Sequence, residues 1–307
     1  MRILFMGTPD FAVETLETLI HSEHEVIGVV TQPDKPKGRG GKVQFSPVKE
    51  AAIEAGIPVF QPNRVRDGAF IEQLRSILPD VIVVVAFGQL LTKEILELPR
   101  YGCLNVHASL LPKLRGAAPI QWSVIDGDKE SGVTIQQMDE GLDTGDMLLT
   151  SETPVGARET AGELFDRLAQ SGAELLTETL VRLDEITPRP QNDAESCYAH
   201  MLDKKMAVID WSKSARELDC LVRGLNPWPI ALTSLAGERL KVYAAEPADG
   251  CGEPGTVLEA DPKKGLTVAC GEGALTLTEI QLVGGKRMKA TDFLRGHAVE
   301  KGSRLGE

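Results

Sequence analysis

Short apolar runs alternate with helically spaced apolar positions through the first part of the chain. Ile3 to Met6 predicts a buried strand and Gly7-Thr8-Pro9-Asp10 a turn. Phe11, Val13, Leu16, Leu19 and Ile20 then recur at the spacing of one helix face. The alternation continues with a strand at Val26 to Val30, helices at Pro47 to Ala55 and Phe70 to Leu78, a strand at Val81 to Phe87, a short helix near Lys93 and a strand at Cys103 to His107. Strands alternating with helices predict a mainly parallel sheet covered on both faces. Ligands of such sheets bind beyond the carboxyl ends of the strands.

Val133 to Met138 alternates like a further strand, and Ala161 to Leu183 reads as a long amphipathic helix. The pattern then changes. Thr187 to Ser196 is polar, carries Pro188 and Pro190, and reads as a linker. After a helix at Ala215 to Arg223, short strands punctuated by glycine follow at Arg239 to Ala244, Thr256 to Leu258, Leu266 to Ala269 and Leu275 to Leu282. That rhythm predicts a small β-barrel or sandwich. The expected architecture is therefore α/β: a Rossmann-like, mainly parallel sheet with helices on both faces over residues 1–189, a linker over 190–207, and a smaller OB-like barrel over 208–307.

Composition narrows the function. With 42% apolar and 25% charged residues among 307, the chain has material for a real core and for one large or two ordinary domains. A net charge of −12 argues against unspecific coating of nucleic acid, and no DNA partner is expected. The charge is uneven: residues 1–189 carry 18 basic and 28 acidic side chains, residues 190–307 carry 15 and 17, so the second part is the easier one to bring near a polyanion. Five cysteines, none in Cys-x-x-Cys spacing, suit free thiols in a reducing compartment. MRILFMG enters a strand at once, and no apolar run approaches the ~20 residues of a membrane span. A cytoplasmic monomer with no membrane partner is expected.

Candidate chemistry begins at the end of one strand. Asn105 and His107 are two apart, so their side chains leave the same face. An amide there can donate to a developing oxyanion, and an imidazole can carry a proton near neutral pH. Alone, the pair reads equally well as a polar strand end satisfied by local hydrogen bonds. His200 and His297 lack metal-ligand spacing, so no metal is expected. The first turn lacks Gly-x-Gly-x-x-Gly, which disfavours a nicotinamide dehydrogenase. Asp146 reads as a turn aspartate, and Trp211 and Trp228 read as core residues rather than base-stacking platforms.

The wider context is specific. The run LNVHASLLPKLRGAAPIQ, followed by QMDEGLDTGD, resembles the signature of the 10-formyltetrahydrofolate-dependent formyltransferases. The opening MGTPDFA, the QPDKPKGRG loop and LNPWP at Leu225 to Pro229 are similar to the branch of that family that acts on methionyl-tRNA, and the resemblance covers nearly the whole chain. It implies catalytic roles for Asn105, His107 and Asp143. It also implies a folate-binding segment at Ser109, Leu110, Leu111 and Pro112, and a pterin pocket lined by the Phe87-Gly88-Gln89-Leu90 turn and the Asp139 to Asp143 loop with Gly141. The co-substrate implied is 10-formyltetrahydrofolate, and the acceptor is the α-amine of initiator methionyl-tRNA. A small acceptor such as glycinamide ribonucleotide or an amino-sugar nucleotide is the enzymatic rival, and a non-catalytic RNA-binding module is the rival of another class.

The acceptor rests on a separate feature. Lys35, Lys37, Arg39 and Lys42 cluster in a connection longer than the usual two to six residues. A long cationic loop suits an RNA end, and the resemblance implies that it contacts the acceptor end of tRNA, with Arg39 foremost. Lys286, Arg287 and Lys289 form a second basic cluster.

Overall fold

The computed structural model describes residues 1–37 and 42–306. The apolar runs become one seven-stranded sheet. Its strands are β1 (Arg2–Gly7), β2 (Glu25–Val30), β3 (Val59–Phe60), β4 (Val81–Val85), β5 (Cys103–His107), β6 (Glu130–Gln137) and β7 (Asp146–Pro154). Their spatial order is β7-β6-β5-β4-β1-β2-β3. The pairs β1–β2, β1–β4, β4–β5 and β2–β3 are parallel, and β5–β6 is antiparallel. All five residues of β4, an unbroken β-branched run, are buried, as a strand covered on both faces requires. Leu4, Met6, Ile82 and Val84 pack on one face with Phe70, Ile71 and Leu74 of the helix Gly68–Ile77. The expected parallel α/β sheet followed by a smaller β domain is borne out. The sequence pattern missed β7 and the helix Pro119–Ile125.

The helix Ala161–Val181 lies behind β5 and β6. A Cβ at Gly172 would fall 2.8 Å from Val106 Cγ1 and 3.5 Å from Val133 Cγ1, so glycine is what permits this close approach. Val106 and Val133 face that helix. Asn105, His107, Thr134 and Gln136 therefore share the opposite face, with Asn105 opposite Gln136 and His107 opposite Thr134.

The chain forms two compact units that are not contiguous in sequence. The first comprises residues 1–119, 131–153 and 165–199, the second residues 120–130, 154–164 and 200–307. The segment with linker composition is ordered against the first unit. Arg189 and Met147 exchange two backbone hydrogen bonds of 2.9 Å, and Tyr198–Ala199 pairs in parallel with Arg115–Gly116.

In the second unit, β8 (Ala231–Leu235), β9 (Glu238–Ala248), β10 (Val257–Asp261), β11 (Gly265–Ala269) and β12 (Ala274–Leu282) form an antiparallel sheet in the order β8-β9-β12-β11-β10. The helix Ala215–Gly224 begins with a capping box between Ser214 and Glu217. It carries a buried Arg223–Asp219 pair at 3.0 Å, and Arg158 reaches the same carboxylate at 2.8 Å. Trp211 is buried and donates to Thr233 Oγ1 at 3.0 Å. The core reading fails for Trp228, which is 53% exposed; it lies between Pro227 and Pro229, in the connection from the helix Ala215–Gly224 to β8.

Burial also orders the thiols. It pushes Cys103 up to about 12 and Cys270 up to about 11, and it raises Cys220. Only the thiolate is nucleophilic. In the folded protein, iodoacetamide at about pH 8 is expected to label the exposed Cys197 and Cys251, with the other three reacting only after denaturation. Mass mapping of the adducts checks this, and rapid native labelling of Cys103 would contradict the packing of β5.

Candidate active site

Asp143 reaches the shared face of β5 and β6 from the loop that links β6 to β7, and its backbone is left-handed with φ 53°. Aspartate tolerates this region better than most residues. Gly145 keeps the loop down, since a Cβ there would meet Gln137 O at 1.9 Å.

The Asp143 carboxylate collects donors from separate segments. Gly116 N–H donates to Oδ2 at 2.8 Å. Gln136 Nε2 donates to Oδ1 at 3.1 Å, and Asn105 Nδ2 at 3.3 Å. His107 Nδ1 lies 3.6 Å from the same oxygen. Asn105, His107 and Gln136 are buried and Asp143 nearly so. The structure thus brings the three expected catalytic residues together.

The other imidazole nitrogen is committed. His107 Nε2 lies 3.0 Å from Leu114 O. A carbonyl only accepts, so Nε2 carries the hydrogen and Nδ1 is the nitrogen left to exchange a proton. Leu114 is itself left-handed, φ 57°, and its N–H donates to Cys197 Sγ at 3.2 Å.

The segment after β5 is tied to β6. Thr134 Oγ1 accepts from Leu111 N–H at 3.1 Å and donates to Ser109 O at 2.7 Å, while Ser109 Oγ donates to Lys113 O at 2.7 Å. Ser109 and Leu111 are buried; Leu110 and Pro112 are half-buried. The peptide Leu111-Pro112 is cis. Phe87 is buried in the core, so its side chain packs among Leu4, Met6 and Val84, while its carbonyl accepts from Gln32 Nε2 at 3.1 Å. Gly88 has φ 84°, and Leu90 is 64% exposed. Asp139 Oδ1 accepts from Gly141 N–H and Thr144 Oγ1 at 3.0 and 2.7 Å, which shapes the exposed turn ahead of Asp143. Asp146 is exposed at the head of β7.

Among the basic-loop residues, Lys35–Lys37 and Lys42–Gln44 pair as a short antiparallel ribbon. Arg39 lies outside the described residues. Lys49 bridges Asp34 at 2.5 Å and Gln61 at 2.8 Å at the foot of this ribbon. The Lys49 ammonium and the Gln61 amide hold the Asp34 carboxyl below its usual range. Among the described residues no His/Cys/Asp/Glu group is arranged to hold a metal ion.

The family model described as "Formyl transferase" matches residues 1–180, and "Formyl transferase, C-terminal domain" matches residues 201–298. The chain belongs to the formyl transferase family. It is 55% identical to a methionyl-tRNA formyltransferase of Lachnospira eligens, over all of both chains, and 54% identical to one of Agathobacter rectalis, over 99% of each. Among solved structures it resembles an N-formyltransferase from Helicobacter canadensis, in complex with folinic acid and dTDP-3-aminofucose. The TM-score is 0.68 at 18% identity, over 94% of this chain and all of the other. HypX from Aquifex aeolicus in complex with tetrahydrofolic acid gives a TM-score of 0.61 at 17% identity, over 99% of this chain and 50% of the other. At such identities the likeness is one of fold.

Several residues of the cluster around Asp143 leave no mark in the sequence pattern. Gln136 occupies an ordinary inward slot of an alternating strand. Gln191 sits in the segment read as a linker, yet its Nε2 donates to Asp143 O and Gly145 O at 2.9 and 2.7 Å. Its Oε1 accepts from Arg115 Nε and Nη2 at 3.0 and 2.8 Å, and Asp193 takes Arg115 Nη2 at 2.8 Å. Arg115 is a buried cation, so this clasp both satisfies it and fixes the backbone that carries Asp143. Gln191→Leu is expected to destabilise the protein by about 1–3 kcal/mol, the cost of leaving buried polar groups unmatched. Urea unfolding measures it, and an unchanged midpoint would mean that the clasp contributes nothing.

Proposed function

We propose that the chain transfers the formyl group of 10-formyltetrahydrofolate to the α-amine of methionine on initiator methionyl-tRNA, giving the N-formylmethionyl-tRNA that starts translation in the cytoplasm. The observation that carries the chemistry is the convergence of Asn105 and His107 on one carboxylate oxygen of Asp143. The acceptor is supported by whole-chain identity of 50–55% to relatives named for methionyl-tRNA, second unit included. The glycinamide ribonucleotide and sugar-nucleotide rivals find only 17–19% identity among the matched structures.

The residues present fit the folate co-substrate. The two turns assigned to the pterin each leave a leucine in water, Leu90 at 64% and Leu142 at 44% exposure, which suits packing against a flat ring. Bound there, the folate supplies an activated one-carbon group. An ordinary α-amine has a pKa near ~7.7–8.0, so a useful fraction is already nucleophilic at neutral pH. As the amine adds to the formyl carbon, negative charge gathers on the carbonyl oxygen. Asn105 Nδ2 has a second N–H, not used on Asp143, to donate to it. His107 Nδ1 is the atom that can carry the proton from the attacking amine toward the departing folate nitrogen, with Asp143 beside it to offset the imidazolium charge. Lys35, Lys37, Arg39 and Lys42 hold the acceptor end of the tRNA through its phosphates.

The assay mixes the protein with 10-formyltetrahydrofolate and either methionyl-tRNA or small amines. Formylation of methionyl-tRNA is expected, with Asn105→Ala slower by about 100–1000-fold; the absence of transfer by folded wild-type protein would sink the reading. Arg39→Ala is expected to raise the KM for tRNA and flatten its salt dependence while folate binding is unchanged. Equal loss of folate binding would make the loop structural.

A further inference from the structure

Gln136 is fully buried on β6, directly across from Asn105, and its amide orientation is set by chemistry. Nε2 donates to Asp143 Oδ1 at 3.1 Å; turned over, the amide would press its own oxygen against a carboxylate oxygen. The same orientation leaves Gln136 Oε1 buried without a hydrogen-bond partner. Its neighbour on the same face behaves otherwise, for Thr134 both accepts and donates. An apolar side chain of equal length would strand no acceptor but would deprive Asp143 of a donor, so what glutamine contributes at this slot is its bond to Oδ1.

We propose that Gln136 is a positioning residue for formyl transfer, and that its task is to hold Asp143 Oδ1 so that Asn105 and His107 stay free for the reacting atoms. This rests on the reading of Asn105, His107 and Asp143 as the catalytic cluster. Three groups compete for Oδ1, and Gln136 makes the shortest approach: 3.1 Å against 3.3 Å for Asn105 and 3.6 Å for His107. A carboxylate anchored from the opposite strand draws less on the other two. Asn105 keeps one N–H in a long contact to Asp143, which leaves the amide free to turn its second N–H to the formyl oxygen as charge develops there. His107 Nδ1 stays near Asp143 without being locked to it. With the anchor gone, Asp143 satisfies itself by pulling in Asn105 and His107, and both are then spent on the ground state. Such a loss falls on kcat rather than on KM. Oδ2 is unaffected, because Gly116 N–H holds it.

Two variants test this. Gln136→Met keeps the length and removes the donor. It is expected to fold, with kcat for methionyl-tRNA lowered roughly tenfold to a hundredfold, the equivalent of one hydrogen bond to a charged group, and with both KM values nearly unchanged. Gln136→Glu sets a second carboxyl against Asp143, and two carboxylates so close do not both ionise. Once protonated, the introduced carboxyl would again donate. The activity of this variant relative to wild type, measured at each pH so that titration of the amine cancels, is expected to rise as the pH falls from about 8 to about 6. Among the described residues, the titratable groups at this position are Asp143 from the loop, bonded to Gln136, and His107 from β5, beside the same oxygen, while Arg115 is turned to Gln191 and Asp193. A Gln136→Met kcat within about threefold of wild type, or a Gln136→Glu ratio flat with pH, overturns the proposal. Should Gln136→Met not fold, the Gln136→Glu ratio decides. Wild-type protein that fails to formylate methionyl-tRNA refutes the functional reading instead, which keeps the two failures apart.

Discussion

A carboxylate held against a sheet face is the constraint around which the first unit is arranged. An unpaired buried charge costs several kcal/mol, whereas each hydrogen bond to a charged group returns about 1.5–3 kcal/mol. Asp143 meets that demand with Gly116 N–H, Gln136 and Asn105. These come from three separate stretches of chain, so the ion is stable only when all three have reached their places. The left-handed backbone at Asp143 and Leu114 costs about 1–2 kcal/mol each, a smaller amount than the donors supply. Strain here is a consequence of satisfying the charge, and it also turns the Leu114 carbonyl to His107.

The parts of the site differ in rigidity for reasons visible in the fold. Asn105, His107 and Gln136 stand on paired strands backed by a helix that approaches closely at Gly172. Side chains on such a floor keep their positions far better than side chains on loops. Asp143, by contrast, arrives on an exposed turn that depends on Asp139, Gly145 and Gln191 for its shape. The division suits a reaction in which donors must be fixed in advance while substrates enter past a turn.

Much of this was legible in the chain. Short β-branched runs of Val and Ile bounded by turn residues read as buried strands, and the two-residue spacing of Asn105 and His107 puts both on one face by strand periodicity. Asp143 was legible only through its motif, because nothing local says that a residue 38 positions beyond Asn105 returns to it. Gln136 and Gln191 left no signal. The first fills a slot that any residue of similar size fills in an alternating strand, and its meaning lies in what stands across the sheet. The second is hidden in proline-rich polar sequence, where composition correctly reports the absence of an α-helix but cannot report a pairing with residues near 115. Trp228 misled in the other direction: a large aromatic suggests a core, yet its Pro-Trp-Pro setting denies it the regular backbone that would carry it inward.

The pairing of Tyr198–Ala199 with Arg115–Gly116 bears on how such enzymes can be cut and recombined. The match to the first family model ends at residue 180, ahead of Gln191 and of this strand. A chain divided at that boundary keeps Asn105, His107, Gln136 and Asp143 and loses the clasp on Arg115 and the partner of the strand that presents Gly116. Similarity therefore marks one border at residue 180 and hydrogen bonding another at residue 199. Chimaeras that exchange the C-terminal stretch of the second unit between relatives should be joined beyond residue 199, so that the host's own chain closes over its own aspartate.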